Sequence, residues 1–380
     1  MSTPLRLIAT SSFGLESVVA RELTLLGFTN LSAHNGYVEF DSDSAGLARA
    51  NLWLRAADRV LLKVGQFHAD TFDMLYEQTK ALPWSDLLPE DANFPVDGRS
   101  VKSTLSSVPA CQRIVKKAIV DSLQKRYPRE TFAETGSRYS IEVSLQKDDA
   151  LLTIDTSGAG LHKRGYRQLS AAAPIKETLA AALVLLSRWQ SHRPFADPLC
   201  GSGTIAIEAG LIGCNMAPGL NRSFVSEDWD LIAQSDWDAE RAAAREAIRK
   251  NNDMEIYAYD VDKEVLSLAG YHVRQAGLDG IVRIAQRDVG KFETASEYGC
   301  IVTNPPYGER MMEERETTDL YRKMGRAFNA FDTWSYFVIT SHPNFERYFG
   351  KRADKKRKLY NGRIQANFYQ YLGPLPPRKG

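Results

Sequence analysis

The sequence predicts an α/β chain whose C-terminal half is a doubly wound sheet built to hold a nucleotide, and three stretches carry that prediction. The first is Phe-Ala-Asp-Pro-Leu-Cys-Gly-Ser-Gly-Thr at 195–204, followed by an apolar run through Ile205, Ile207, Leu211 and Ile212. A short apolar strand, a turn with Gly201 and Gly203, and then a helix let backbone approach a ligand closely and offer free N–H groups at the helix start. The second is Ile-Val-Thr-Asn-Pro-Pro-Tyr at 301–307, the end of a later strand. The third is 357–368, with Asn361-Gly362 at its turn, a hairpin signature that adds an antiparallel strand.

Taken in order, the chain opens with an α+β module over residues 1–65. It reads as strand 5–9, helix 14–28 with Leu15, Val18, Val19, Leu23 and Leu26 on its apolar side, and an Asn35-Gly36 turn into the alternating strand 37–40. Helix 45–60 and strand 61–64 complete it, and it carries no visible chemistry. A second module, 66–167, reads as helix 71–82, a strand near 99–101, helix 109–127 and a hairpin over 140–155. On the second of these helices Val115, Ala118, Ile119 and Leu123 form one stripe, while Arg113, Lys116 and Lys117 lie largely off it. Such a basic face is either solvated or phosphate-binding. The exit segment, 155–167, sets glycines beside Lys163, Arg164, Arg167 and Tyr166, which suits phosphate contacts with an unpaired base nearby.

The third module spans 168–380. Its first helix opens with Pro174 in the first turn, and Leu179, Leu183 and Leu186 supply the apolar side. After the glycine loop come an insertion from 216 onwards, a polar helix over 236–250, strand 255–259 ending in Asp260, and helix 263–275 closed by Gly277. Strand 281–285, Asp288, strand 300–303, helix 316–331 and strand 336–340 continue the alternation. Hairpin strands 356–360 and 363–371 end it. Segment 347–358 holds seven basic residues and one acid. It reads either as a solvated loop or as a second phosphate contact, with Tyr348 and Phe349 available to pack or stack.

Spacing removes two of the nucleotide readings. A dinucleotide site places an acid at a strand end about 20 residues past the first glycine. Here that position reads Pro218-Gly219-Leu220-Asn221-Arg222. No Gly-Lys-Ser/Thr follows Gly203, which removes a phosphate loop of the Walker type. Paired with Asn304-Pro-Pro-Tyr307, the loop resembles class I S-adenosylmethionine methyltransferases acting on an exocyclic amino group, whose Rossmann-like sheet characteristically carries an antiparallel strand. The second module resembles a THUMP domain, found on enzymes that modify structured RNA, and the first is expected to be ferredoxin-like. Asn215-Met-Ala-Pro-Gly219, with Arg222, Phe224 and Trp229, resembles the insertion of the RlmL-type guanine-N2 methyltransferases of large-subunit (23S) ribosomal RNA. With Asn304-Pro-Pro-Tyr-Gly-Glu-Arg310, that resemblance runs over essentially the whole chain. It departs in lacking the second, fused methyltransferase domain of some members, so that half's activity is not expected here.

The resemblance implies S-adenosylmethionine as cofactor and assigns roles. Asp197 and the loop of Cys200, Gly201, Ser202, Gly203 and Thr204 would hold the cofactor's amino-acid end. Asp260 would accept from the ribose hydroxyls, and Asp288 from the adenine amino group. The acceptor amine is a weak nucleophile because its lone pair is delocalised into the ring. The Asn304 side-chain oxygen and the Pro305 carbonyl, accepting its two N–H groups, would favour the charged state that attack creates. Tyr307 would stack on a flipped base. Arg113, Lys116, Lys117, Lys163, Arg164, Tyr166 and Arg167 are the expected RNA contacts. The motif does not choose between guanine and adenine, nor between ribosomal RNA, transfer RNA and DNA. A noncatalytic RNA-binding assembly protein with the same fold is the reading from another class.

Composition narrows the rest. A formal charge of +1 means that nucleic-acid affinity must come from local patches. Cys111, Cys200, Cys214 and Cys300 are scattered, without C-x-x-C or a His partner at metal spacing, so reduced thiols and no metal are expected. Cys200 could be read as a nucleophile, but no paired base accompanies it. With no long apolar run at the N-terminus, a cytoplasmic protein is expected.

Overall fold

Two seven-stranded sheets organise the chain, one in each of two units. The computed structural model describes residues 4–169, 175–249, 253–307 and 311–377. The first unit gathers Met1–Ser11, Ala20–Leu161 and Ser223–Ala242; the second gathers Ser12–Val19, His162–Arg222 and Ala243–Gly380. Each is therefore completed by a segment from the other's stretch of sequence.

The first unit contains β1 (Leu5–Thr10), α1 (Glu16–Leu25, whose first turn belongs to the second unit), β2 (Thr29–His34), β3 (Tyr37–Ser42), α2 (Ser44–Trp53) and β4 (Arg59–His68). It continues with α3 (Phe72–Lys80), α4 (Trp84–Leu87), β5 (Val96–Val101), α5 (Val108–Leu123), β6 (Ile141–Gln146) and β7 (Asp149–Asp155). The sheet runs β2-β3-β1-β4-β7-β6-β5, and only β5 and β6 are parallel. Because β4 pairs with both β1 and β7, the sheet runs across the boundary expected near residue 65.

A second departure concerns α2. The apolar pattern suggests a helix to residue 60, but the chain turns extended at Leu54. The buried Glu22 carboxylate there accepts the N–H groups of Arg55 and Ala56 at 2.9 and 3.0 Å, and a distant acid thus decides where the helix stops. Residues 223–242, expected to belong with the third module, instead complete this unit. Trp229 stacks on Tyr139 with centroids 4.5 Å apart and donates through Nε1 to the Arg138 carbonyl, while Arg49 is ion-paired with Glu240.

The second unit contains α6 (Glu177–Ser187), β8 (Phe195–Asp197), α7 (Thr204–Gly213), the end of α8 (Gln234–Glu246), β9 (Ile256–Asp260), α9 (Lys263–Gln275), β10 (Val282–Gln286) and β11 (Cys300–Thr303). Then come α10 (Met311–Phe328), β12 (Ser335–Thr340), α11 (Phe345–Phe349), β13 (Lys355–Asn361) and β14 (Ile364–Tyr371). The sheet order is β10-β9-β8-β11-β12-β14-β13. The first five of these strands are parallel, and β14, antiparallel to both β12 and β13, is the one that runs against the rest. Strand order reverses at β8, with β9 on one side and β11 on the other, and a ligand crevice forms outside the strand ends at such a switch point. Beneath it an aromatic cluster including Phe292, Phe328, Trp334, Tyr336, Phe345, Phe349 and Tyr371 fills the core. None of the described helices is long and apolar enough to cross a membrane. Pro174 and Lys250, expected in helices, lie outside the described residues.

Candidate active site

The glycine loop leaves β8 at the switch point. Gly203 caps α7 at φ +83°, and a β-carbon there would stand 3.2 Å from Ala269 Cβ, so glycine lets α9 pack close to the turn. Gly201 is also left-handed, at φ +52°, with nothing within 4 Å of its missing side chain. Gly203 offers α7 no side-chain cap, which leaves first-turn N–H groups for an anionic ligand.

Asp260 holds this loop from the end of β9. Its Oδ2 accepts the Gly201 N–H at 3.0 Å and its Oδ1 accepts the Asp262 N–H at 3.1 Å. Asp262 in turn caps α9 by accepting from Glu264 and Val265, which frees Asp260 from that duty. Beyond Asp260 opens a recess of about 540 Å³ lined by Val261, Gln286, Arg287, Asp288, Lys291 and Glu293. Val261 is 53% exposed there, an apolar side chain beside a strand-end carboxylate. Open glycine backbone, an acid and an apolar ledge over a polar recess fit an adenosyl group with a charged tail. Asp288 stands in the recess, but its Oδ1 accepts the Gly290 N–H at 2.7 Å and its Oδ2 lies 3.7 Å from Lys323 Nζ. An adenine amino group would share this carboxylate with both.

Asp197, expected at the cofactor's amino-acid end, is engaged within the chain. It is 1% exposed, and its Oδ1 accepts from Thr303 Oγ1 at 2.8 Å and from the Leu199 N–H at 3.3 Å. Burial, with a smaller push from the Asp260 charge, moves its carboxyl up to about 7 despite those two bonds. It ties the glycine loop to the end of β11. Ser202 and Thr204 are buried as well, so their side chains serve the turn. Cys200 is a buried loop residue whose N–H donates to the Tyr259 carbonyl at 2.9 Å. Burial pushes its thiol well above the usual range, which removes the nucleophile reading.

At the neighbouring strand end, Asn304 follows Thr303. Its Oδ1 accepts from the Tyr307 hydroxyl at 2.8 Å, and that hydroxyl accepts from Asn361 Nδ2 at 3.3 Å. Pro305 is buried, and the Pro306 carbonyl is fixed by Tyr321 Oη at 2.8 Å. The turn is therefore held at both ends, with the asparagine oxygen at its mouth. Glu309 and Arg310 lie outside the described residues.

The expected RNA contacts divide. Arg113 and Lys117 are exposed on α5, whereas Lys116 is held by Glu134 at 2.6 Å and the Phe94 carbonyl at 2.9 Å. In the second unit Lys163 is exposed, while three of its neighbours bond to partners within the unit. Arg164 and Tyr166 are each 4% exposed; Arg164 Nε lies 3.4 Å from Glu208 Oε1, and Tyr166 Oη donates to that oxygen at 3.1 Å. Arg167 pairs with buried Glu177 at 3.2 Å and donates to the Ile175 carbonyl at 3.0 Å. The two arginines neutralise acids carried into the interior by α6 and α7, and Tyr166 adds a hydrogen bond, because an unpaired buried carboxylate is costly. Arg164 and Tyr166 are thereby enclosed, whereas Arg167 stays partly exposed beside its ion pair.

Sequence reasoning missed Glu177, Glu208, Val261 and Asn361. A glutamate in the almost wholly apolar stretch 204–213 was the available signal for an inward-facing partner. Asn361 was read as a turn residue only. Among the described residues no group of three or more His, Cys, Asp or Glu is placed to hold a metal ion.

A Rossmann-like sheet with a glycine loop, a strand-end acid and an Asn-Pro-Pro-Tyr turn at its switch point defines a class I methyltransferase. The chain belongs to the RMKL-like methyltransferase family, whose domain model matches residues 164–370. Residues 6–61 match the RlmL ferredoxin-like domain and 69–155 the THUMP domain. YpsC of Bacillus subtilis (strain 168) is 50% identical over 98% of this chain and 97% of its own length. The ribosomal RNA large subunit methyltransferase K/L of Vibrio parahaemolyticus is 33% identical over 96% of this chain, which spans only 53% of that relative's length. Among solved structures SMU.472, crystallised as a complex with SAH, has a TM-score of 0.94 at 42% identity, covering 99% of this chain and 100% of that one.

Proposed function

We propose that the chain transfers a methyl group from S-adenosylmethionine to the exocyclic N2 amino group of a guanine in large-subunit (23S) ribosomal RNA. The observation that carries the chemistry is the bond from Thr303 to Asp197 between paired strands β11 and β8, which locks the Asn304 turn beside the glycine loop. SAH in the related SMU.472 structure supports the cofactor. The THUMP match and the K/L relatives support ribosomal RNA, and the RlmL-type resemblance supports guanine N2.

S-adenosylmethionine supplies an electrophilic methyl group when bound; the rest is the chain's own work. Asp260 orients the ribose and the backbone of the Gly201–Gly203 loop the amino-acid end, with Val261 against the base. Asn304 Oδ1, now taken by the Tyr307 hydroxyl, exchanges that donor for an N–H of the target amine. The Pro305 carbonyl accepts the other. Once the amine has taken the hydroxyl's place, the two acceptors stabilise the positive charge that develops as the nitrogen lone pair leaves conjugation, with no further reorganisation at the moment of transfer. Released from Asn304, the Tyr307 ring stacks on the base and Asn361 retains its hydroxyl.

Asn304→Ala tests this directly in single-turnover methylation of RNA from cells lacking the gene. It should keep cofactor and RNA affinity while losing about a hundredfold or more in rate, the loss typical of deleting one such polar group. A near-normal rate would remove Asn304 from the reaction.

A further inference from the structure

Near the tip of the β13–β14 hairpin, Tyr360 of β13 meets Phe13 of the β1–α1 loop, a pair of aromatic rings that the proposed reaction does not use. Phe13 is 52% exposed, and its ring stands edge-on to Tyr360 with centroids 6.0 Å apart at 80°. Several bonds hold the loop that presents it. Gly14, at φ +90°, passes so near β13 that a β-carbon would stand 2.8 Å from the Lys358 carbonyl oxygen. Arg357 donates to the Gly14 carbonyl at 3.1 Å and to Ser17 Oγ at 2.7 Å. The acid of this loop, Glu16, accepts the Gly14 N–H at 2.9 Å.

The surroundings are cationic. Lys358 Nζ lies 5.9 Å from the Tyr360 ring centroid, and Lys355, Lys358 and Arg363 are exposed. Consecutive strand residues leave a strand on opposite sides, so Tyr360 meets Phe13 on one side while Asn361 reaches Tyr307 on the other. The hairpin tip thus stands between an aromatic ledge and the Asn304 turn.

We propose that Phe13 and Tyr360 form a stacking site for an unpaired nucleotide of the RNA next to the target, with Lys358 and Arg363 on its phosphates. The tip separates the target base from its neighbour and keeps the two splayed. Rigid aromatic faces beside cations are the combination that holds single strands, since every base has a face to stack. The inference rests on the RNA substrate proposed above.

The test uses full-length protein and a short single-stranded RNA. Phe13→Ala and Tyr360→Ala should each raise the Kd for that RNA about five- to hundredfold, with S-adenosylmethionine affinity and thermal midpoint unchanged. Phe13→Tyr should restore binding and Phe13→Leu should not, because a packing role needs only apolar volume whereas stacking needs a ring. Fluorescence of Phe13→Trp should be quenched by single-stranded RNA and not by duplex RNA or an acidic peptide. Full affinity in Phe13→Leu, or quenching by the peptide alone, overturns the site. These are binding measurements made without turnover, so they separate from the methylation reading. Methylation by the wild type with unaltered binding in both alanine variants defeats the stacking site alone, and quenching without methylation defeats the reaction alone.

Discussion

Residues 163–167 and the glycine loop with Asp260 belong to the same unit, and both look ligand-facing in sequence, with glycines beside polar or charged side chains. The structure turns them in opposite directions. Around the loop, Gly201 faces open space and Asp260 directly precedes Val261, which lines a recess. In 163–167, Arg164 and Tyr166 converge on Glu208, and Arg167 on Glu177. Glycine-flanked charge therefore says that a segment is held, not what holds it. Here the answer lay in two glutamates on helices otherwise given to the core.

The largest effect should come from breaking the inward pair. Arg164→Ala leaves Glu208 buried without its cation, a loss of about 3–5 kcal/mol in stability. Thermal or denaturant unfolding should show this, while RNA affinity per folded molecule stays unchanged. An intact midpoint with weakened RNA binding would restore the outward reading. Next in size, Asp260→Ala removes the acceptor at the recess and should weaken S-adenosylmethionine binding by calorimetry about ten- to hundredfold, with the fold intact. Unchanged affinity would sink the ribose assignment.

Asp197 sharpens the comparison within the glycine loop, because it ends β8 as Asp260 ends β9, yet is enclosed. Its carboxyl titrates at about 7 folded against an ordinary 3.8. Between those values the folded chain binds more protons than the unfolded one, so this group's contribution to stability falls as pH rises through that window and is level above it. Asp197→Asn keeps the Oδ1 acceptor for Thr303 and loses the ionisation. Its thermal midpoint relative to the wild type should climb from about pH 4 to 7 and then stay constant. A difference independent of pH would contradict the enclosed carboxyl. The smallest effect belongs to Lys163→Ala: a modest loss of RNA affinity, a salt slope shallower by about one, and no change in stability.

What was legible follows the same division. Helix Lys263–Gln275 and strand Cys300–Thr303 have the ends their sequences imply, because capping Asp262 and an unbroken apolar run are local signals. The glycine turn and the Asn-Pro-Pro-Tyr turn were legible too, since their chemistry is written in consecutive residues. Contacts distant in sequence were not. Glu22 stopping α2, residues 223–242 completing the first unit, and Asn361 reaching Tyr307 each join positions at least 33 apart. No periodicity within one segment encodes such a pairing.

The central claim is an RNA methyltransferase acting on an exocyclic amine, and nucleoside mass spectrometry tests it most directly. Ribosomal RNA, transfer RNA and DNA are compared from cells with the gene, without it, and with Asn304→Ala in its place. The account predicts that N2-methylguanosine in large-subunit ribosomal RNA falls by the amount of one site in both altered strains and is unchanged elsewhere. Unaltered methylation of that RNA, or a loss confined to N6-methyladenine in DNA, would contradict it.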